Sequence, residues 1–147
     1  MKLGKNIYFD MDGVLANFSA EPNAVERFAI EKGFFRKLKP LKKNVKALRK
    51  LIADGKHNIY ILSASPNKDA DEDKRQWLKK YRINIAAENV IICRNGQRKK
   101  DYMKTADGIL FDDYGKNIRE WVDEVNGAFK VTADGSVKVG LEILELI

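Results

Sequence analysis

The sequence predicts an α/β fold, a doubly wound parallel five-stranded sheet with a small helical cap insertion after the first strand. Short apolar runs alternate along the chain with stretches in which apolar residues recur at helical spacing. Such alternation implies right-handed crossovers, which make neighbouring strands parallel. The chain has 147 residues and no visible repeat or low-complexity linker. We therefore expect one domain over residues 1–147, long enough to bury a substantial core.

Five short runs are predicted to be strands, because each is apolar and β-prone and is bounded by turn-forming or polar residues. They cover residues 7–9, 59–62, 90–93, 109–111 and 128–131. Runs this short and this apolar are typical of strands buried on both faces, as in parallel sheets.

The cap insertion is predicted at about residues 18–35. Within it, residues 23–32 have a helical pattern that places Val25, Phe28 and Ala29 on one side. The segment is too short to form a domain, and we expect it to lie over the edge of the sheet after the first strand.

Helices are also predicted between the later strands. Leu41, Val45, Leu48 and Ile52 mark the first of these, which should end near Gly55, a frequent helix stop. The others are residues 71–81, a short helix at 100–104, a helix marked by Ile118, Trp121, Val122 and Val125, and a last helix that Ser136 could cap.

Composition and charge exclude several classes of protein. No run of about 18 apolar residues could cross a membrane, and residues 1–6 contain no apolar segment typical of a signal peptide. The single cysteine, Cys93, cannot form an internal disulfide and, with the lone His57, argues against a zinc site. We expect a cytoplasmic protein. The net charge of +7 favours anionic partners, either phosphorylated metabolites or nucleic acid.

Two aspartates, Asp10 and Asp12, follow the first predicted strand and precede Gly13. In open α/β sheets, ligands bind at the edge where the strands end. Two carboxylates held close together repel each other unless a cation or a shared proton relieves the repulsion. The pair therefore favours a site for a hard divalent cation such as Mg2+, with an ordinary acidic turn as the alternative.

Polar residues also end two other predicted strands. Ser63 and Ser65 follow the second strand, and Asp112 and Asp113 follow the fourth. Because parallel strands end at one edge of the sheet, these residues can converge on the first pair of aspartates. A basic loop, residues 94–100, opens the short helix between them. Three kinds of group are thus expected at this edge: carboxylates that can bind a metal, a hydroxyl, and a lysine. Together they are typical of a site that binds a phosphoryl group.

In this order, these elements resemble the motifs of the haloacid dehalogenase (HAD) superfamily of phosphatases. The matching residues are Asp10-Met11-Asp12-Gly13-Val14, Ser63, a lysine among Arg98-Lys99-Lys100, and Asp112-Asp113. Within the superfamily the chain is most similar to the 5′(3′)-deoxyribonucleotidases. That similarity lies in residues 10–18, Gly33-Phe34-Phe35, Leu38, Pro40-Leu41 and the Ser-Pro after the second strand. The resemblance implies a HAD-like Rossmannoid fold and a Mg2+-dependent phosphomonoester hydrolase.

The resemblance also implies the catalytic roles. Asp10 would be the nucleophile that forms an aspartyl-phosphate, and Asp12 would be the general acid and then the general base. Ser63 would bond a phosphoryl oxygen, although Ser65 is an alternative. Lys99 or Lys100 would balance the charge on Asp10 and phosphate.

The same resemblance implies a magnesium site. Asp10 would contribute its carboxylate and Asp12 its backbone carbonyl. Either Asp112 or Asp113 would complete the metal shell.

The cap insertion bears on the substrate. Phe18 matches a family position that packs on the nucleobase, with a place in the core of the cap as the alternative. Ala64 and Arg94 are further candidates for substrate binding. The insertion is much shorter than the cap of the nucleotidases, and a neighbouring subunit in a homo-oligomer could supplement it. The expected substrate is a (deoxy)nucleoside monophosphate. The alternatives are the 3′-phosphate end of a nucleic acid and a small phosphorylated metabolite.

Overall fold

A computed structural model describes residues 4–147, which are organised around one five-stranded sheet. Residues 1–3, part of the stretch used above to argue against a signal peptide, lie outside the described residues. The strands are β1 (Asn6–Phe9), β2 (Asn58–Ser65), β3 (Val90–Arg94), β4 (Ile109–Asp112) and β5 (Gly127–Lys130). All pairings are parallel, in the order β3-β2-β1-β4-β5. The predicted fold class is confirmed.

Five α-helices connect or flank these strands. They are α1 (Ala24–Arg27), α2 (Lys42–Asp54), α3 (Lys68–Lys80), α4 (Gly115–Trp121) and α5 (Ser136–Ile143). Four 3-10 turns, at Phe18–Ala20, Phe35–Lys37, Ala87–Asn89 and Lys99–Tyr102, complete the described segments of helix.

Central strand β1 is buried on both faces, as its apolar sequence predicts. Ile7 and Phe9 belong to the larger core, which also contains residues of α2, α3 and α5. Tyr8 points to the opposite face and packs against Trp121 of α4, with ring centroids 5.2 Å apart. This alternation follows from the two-residue period of a strand. It puts helices on both faces of the sheet and leaves the strand ends as the open edge.

Helix α2 agrees best with its predicted form. Val45, Leu48 and Leu51 are buried on one side, and Gly55 ends the helix with a φ of 64°, a conformation that suits glycine. Pro40 lies two residues before the helix and pairs with Ala16 in an isolated bridge.

The cap insertion differs from the helix predicted at residues 23–32. Only α1 forms there, a single turn preceded by Asn23 in the left-handed conformation (φ 55°). Ala24 and Phe28 face inward, whereas Val25 is 74% exposed and Ala29 is also exposed. A helix this short gains little from its own hydrogen bonds. The contacts among phenylalanines described below therefore decide how the insertion packs.

Three later predictions about the helices need correction. Helix α4 ends at Trp121, and Val122 and Val125 lie beyond it and are exposed. The chain turns there because the Asp123 carboxylate accepts hydrogen bonds from the backbone N–H groups of residues 125 and 126. Gly135, with a φ of 96°, occupies the N-cap of α5, and Ser136 is its first residue. The helix predicted at 100–104 is the 3-10 turn that starts one residue earlier.

Candidate active site

The site lies where β1 ends between its neighbours β2 and β4. Phe9 is in register with Ile61 on one side and Phe111 on the other. The backbone N–H of Asp10 still donates to the carbonyl of Phe111 at 2.9 Å, which holds Asp10 beside the end of β4. The sheet therefore brings Asp10 and Asp112 together although about a hundred residues separate them in sequence.

A buried lysine joins these two aspartates. The ammonium of Lys99 lies 2.9 Å from Asp10 Oδ1 and 2.8 Å from Asp112 Oδ2. Lys99 is 4% exposed and Asp112 is fully buried. Asp112 also accepts from the Tyr114 backbone N–H at 2.9 Å and from the Asn117 amide at 3.1 Å. These bonds fix Asp112 and Lys99 beside Asp10.

The charges at this edge strongly influence one another. Burial, and then the nearby Asp112 carboxylate, raise the pKa of Asp10 to about 8. Burial alone would lower the pKa of Lys99, but Asp10 and Asp112 outweigh it and raise that pKa above its ordinary value. Asp113 is an exposed residue, yet the partial burial of its carboxyl group from water, followed by the charge of Asp112, raises the pKa of Asp113 to about 6. The site therefore carries more negative charge than Lys99 alone relieves.

The donor set fits a hard divalent cation. Asp10, Asp112 and Asp113 each offer a carboxylate oxygen, and these oxygens lie within 4.8 Å of one another. Oxygen donors of this type are those that Mg2+ prefers. A cation there would relieve the repulsion that, together with burial, raises the pKa values of Asp10 and Asp113. The carboxylate of Asp12 does not belong to this group, because it pairs with a lysine.

Gly13 makes room for Asp113. A Cβ added at position 13 would run into the carboxylate of Asp113, and the glycine backbone has a φ of 81°. Only glycine adopts this conformation readily. The glycine after Asp12 thus allows the chain to turn under the third carboxylate of the group.

We predict that Gly13→Ala raises the Mg2+ concentration needed for half-maximal activity by about tenfold or more, since the displaced Asp113 carboxylate would leave two acids to hold the metal. A Mg2+ activation curve measures this effect. Gly55→Ala is the matched control, because Gly55 has a similar φ of 64° and no atom within 4 Å of an added Cβ. Equal Mg2+ requirements in the two variants would contradict the role given to Gly13.

The sequence interpretation missed a second buried lysine, Lys74. Its ammonium donates to Asp12 Oδ2 at 2.8 Å, to the Ser63 hydroxyl at 2.7 Å and to the Ala64 carbonyl at 2.8 Å. Lys74 and Ser63 are fully buried. In the sequence Lys74 stands within a run of charged residues, which resembles a solvated helix face. The available signal was its spacing, since positions three and four residues later, Trp77 and Leu78, belong to the core.

Several predicted site residues lie elsewhere. The ammonium of Lys100 points outward and pairs with Asp123, so of the two adjacent lysines only Lys99 reaches Asp10. Arg94 forms a two-bond pair with Asp71, at 2.9 and 3.0 Å.

The hydroxyl of Ser65 contacts that same Arg94–Asp71 pair. Ser63, not Ser65, therefore lies in the network around Asp12. Ala64 takes part in that network through its carbonyl, which accepts from Lys74.

Four phenylalanines of the cap insertion form an aromatic cluster next to this network. Phe18 lies 6.0 Å from Phe28, 5.7 Å from Phe34 and 6.4 Å from Phe35, measured between ring centroids. Phe34 and Phe35 are buried, while Phe18 and Phe28 are half-buried. The Phe35 ring also lies 4.4 Å from the ammonium of Lys74. The cluster thus adjoins the edge of the sheet at which Asp12, Ser63 and Lys74 meet.

The chain is similar to known proteins in sequence and in fold. A family model described as "5' nucleotidase, deoxy (Pyrimidine), cytosolic type C protein" matches residues 20–125, more than half of the chain. This segment contains Ser63, Lys74, Lys99 and Asp112, and begins after Asp10 and Asp12. No curated protein matches the sequence.

Two solved structures have a similar fold. One is a chain in the structure of the Pnkp1/Rnl/Hen1 complex, with a TM-score of 0.66 and 19% sequence identity. The alignment covers 89% of this chain and 47% of that chain. The present chain thus spans about half the length of that protein. The other is the HAD domain of the effector protein Lem4 from Legionella pneumophila, with a TM-score of 0.55 and 15% identity, covering 98% of this chain and 94% of that one.

Among the described residues, no helix is long and apolar enough to cross a membrane.

Proposed function

Because the chain belongs to the family of cytosolic type C 5′ deoxynucleotidases, and is thus a HAD-type hydrolase, we propose that it hydrolyses (deoxy)nucleoside 5′-monophosphates through an aspartyl-phosphate on Asp10, with Mg2+ as cofactor. The observation that carries this proposal is the Asp10–Lys99–Asp112 arrangement at the end of β1. It holds a carboxylate nucleophile beside a buried positive charge and a set of metal-binding acids. A cytoplasmic location and a homo-oligomer that completes the small cap remain predictions.

The first half of the reaction transfers the phosphoryl group to Asp10. A carboxylate oxygen of Asp10 attacks phosphorus, the bond from phosphorus to the ester oxygen breaks, and its electron pair goes to the leaving oxygen. Asp12 donates a proton to that oxygen, which leaves as an alcohol. Lys99 keeps Asp10 in place and offsets part of the negative charge.

The second half restores the enzyme. Asp12, now a carboxylate, takes a proton from a water molecule whose oxygen attacks phosphorus. The bond between phosphorus and Asp10 breaks, and inorganic phosphate leaves. Mg2+ held by Asp10, Asp112 and Asp113 would supply charge neutralisation for the phosphoryl oxygens.

The aromatic cluster supports a nucleotide as substrate. Phe18 is half-buried, and three other phenylalanines pack against its ring. A half-buried aromatic side chain near a phosphate site suits stacking with a nucleobase.

A second candidate substrate is the 3′-phosphate end of a nucleic acid. It is favoured by the small insertion, which gives a bulky substrate access, and by the net charge of +7. The arginines of the basic loop weigh against it. Arg94 pairs with Asp71, and Arg98 pairs with Asp101 at 3.0 Å, so neither presents an unpaired charge to a phosphate backbone.

We therefore predict that kcat/KM for deoxynucleoside 5′-monophosphates exceeds that for a 3′-phosphorylated oligonucleotide. The measurement is phosphate release from both substrates, and from a panel of sugar phosphates, at about 50 and 200 mM salt. Because a mononucleotide presents one phosphate group, its kcat/KM should change only modestly between the two salt concentrations. Arg98→Ala should leave mononucleotide hydrolysis unchanged, because Arg98 pairs with Asp101. A preference for the oligonucleotide that falls steeply with salt would assign the enzyme to nucleic-acid ends instead.

A further inference from the structure

Lys74 is fully buried and uses its whole bonding capacity on the site. An ammonium has three N–H donors, and those of Lys74 go to Asp12, Ser63 and the Ala64 carbonyl, at 2.7 to 2.8 Å. The Phe35 ring lies on the cation at 4.4 Å. The side chain is therefore held at one point by β2, from which Ser63 and Ala64 come, and by the cap insertion.

We propose that Lys74 is a positioning residue, which holds the Asp12 carboxyl group where it can exchange a proton with the leaving oxygen and with water. Asp12 lies in the turn after β1, and its side chain is 24% exposed. Among the described residues, Lys74 is the only side chain that hydrogen-bonds the Asp12 carboxylate. Without it, the carboxyl group would be free to rotate toward solvent. This inference rests on the proposed function, because Lys74 acts only through Asp12.

The geometry separates the two buried lysines by task. Lys99 contacts Asp10 and Asp112, the proposed nucleophile and a metal-binding acid. Lys74 contacts neither of them; its ammonium binds Asp12 and the Ser63 hydroxyl instead. Loss of Lys99 should weaken every step that involves phosphate. Loss of Lys74 should weaken the steps in which Asp12 moves a proton.

That difference gives a specific signature. A nucleoside alkoxide leaves poorly unless it is protonated as the bond to phosphorus breaks, whereas p-nitrophenolate is a stable anion and leaves without a proton. A misplaced Asp12 should therefore slow release of a nucleoside much more than release of p-nitrophenolate. A general loss of structure would slow both equally.

The experiment measures release of the leaving group in the first turnover, with enzyme in excess and Mg2+ present. Lys74→Met keeps the apolar stem without the charge, and Lys74→Gln retains amide donors. We expect Lys74→Met to slow nucleoside release from a deoxynucleoside monophosphate by about 100-fold, and p-nitrophenolate release by no more than about threefold. Lys74→Gln should lie between Lys74→Met and the parent.

Two further variants identify the cause of any failure. Lys80→Met, on the exposed side of the same helix, should leave both rates unchanged. Asp12→Asn should show the same selective loss if Asp12 is the general acid. Absence of selectivity in Asp12→Asn would contradict the proposed function itself. A second outcome concerns Lys74 alone. If Asp12→Asn slowed nucleoside release selectively, but Lys74→Met slowed both releases equally or slowed neither, the proposed role of Lys74 would be wrong and the proposed function would stand. Failure of both Lys74 variants to fold would give Lys74 a structural role and would also overturn the proposal.

Discussion

Asp10→Asn is expected to fold as the parent does and to lose roughly four to six orders of magnitude in phosphatase activity. The amide is a poor nucleophile toward phosphorus and a poor ligand for Mg2+. Folding should survive because Lys99 keeps its bond to Asp112 at 2.8 Å. The measurement is kcat/KM for a deoxynucleoside monophosphate, with circular dichroism and thermal unfolding compared between variant and parent.

The matched control for this change is Asp101→Asn. Asp101 is an exposed acid whose carboxylate pairs with Arg98 on the surface, and its loss should leave activity near that of the parent. If Asp10→Asn retained activity within about tenfold of the parent while folding normally, covalent catalysis by Asp10 would be wrong.

Removal of the metal should abolish activity to a similar extent. Addition of EDTA is expected to stop hydrolysis, and excess Mg2+ to restore it. Without the metal, the phosphate would face the carboxylates of Asp10, Asp112 and Asp113 with only Lys99 to offset their negative charge. Phosphate release with and without chelator measures this effect. Full activity in chelator would remove the basis for the metal assignment.

Two variants should divide the metal-binding acids by their contacts. Asp113 forms no ion pair within residues 4–147, so Asp113→Asn should raise the Mg2+ requirement yet regain much of the activity at high Mg2+. Asp112 binds both Lys99 and the Asn117 amide, so Asp112→Asn should also disturb Lys99 and should not be rescued. Equal rescue of both variants by Mg2+ would contradict this division.

The sequence predicted the sheet, and the edge at which its polar residues converge, because both depend on local patterns. A strand such as β1 is a short apolar run that ends abruptly at a carboxylate, and parallel pairing brings such ends together whatever their distance in sequence. Ser63 in β2, Asp112 at the end of β4 and Asp113 just after it were placed at this edge for the same reason.

The cap insertion was predicted less well, because its structure depends on tertiary contacts. The apolar residues of segment 23–32 suggested a longer helix, with Val25 packed. Instead, Phe28 joins rings from both ends of the insertion, and Val25 lies outside. Aromatic contacts across a loop leave no periodic signal in the sequence.

The two lysines of the site mark the limit of sequence reasoning. Lys99 and Lys100 are neighbours with the same chemistry, and only the 3-10 turn that starts at Lys99 directs one inward and the other toward Asp123. Lys74 was missed because a buried lysine within a charged helix resembles a surface lysine until its partners are known.

The central claim is that a phosphoryl group is transferred to Asp10, and the most direct test is to trap that state. Asp12→Asn should slow hydrolysis of the intermediate, while p-nitrophenyl phosphate needs no acid for its formation. The variant is mixed with this substrate and Mg2+, quenched in acid within the first turnover and digested for mass spectrometry. We predict one added phosphoryl group on the peptide that contains Asp10, absent when Asp10→Asn is also present. Turnover of the substrate by the parent, with no phosphorylated peptide at any quench time in Asp12→Asn, would contradict the covalent mechanism.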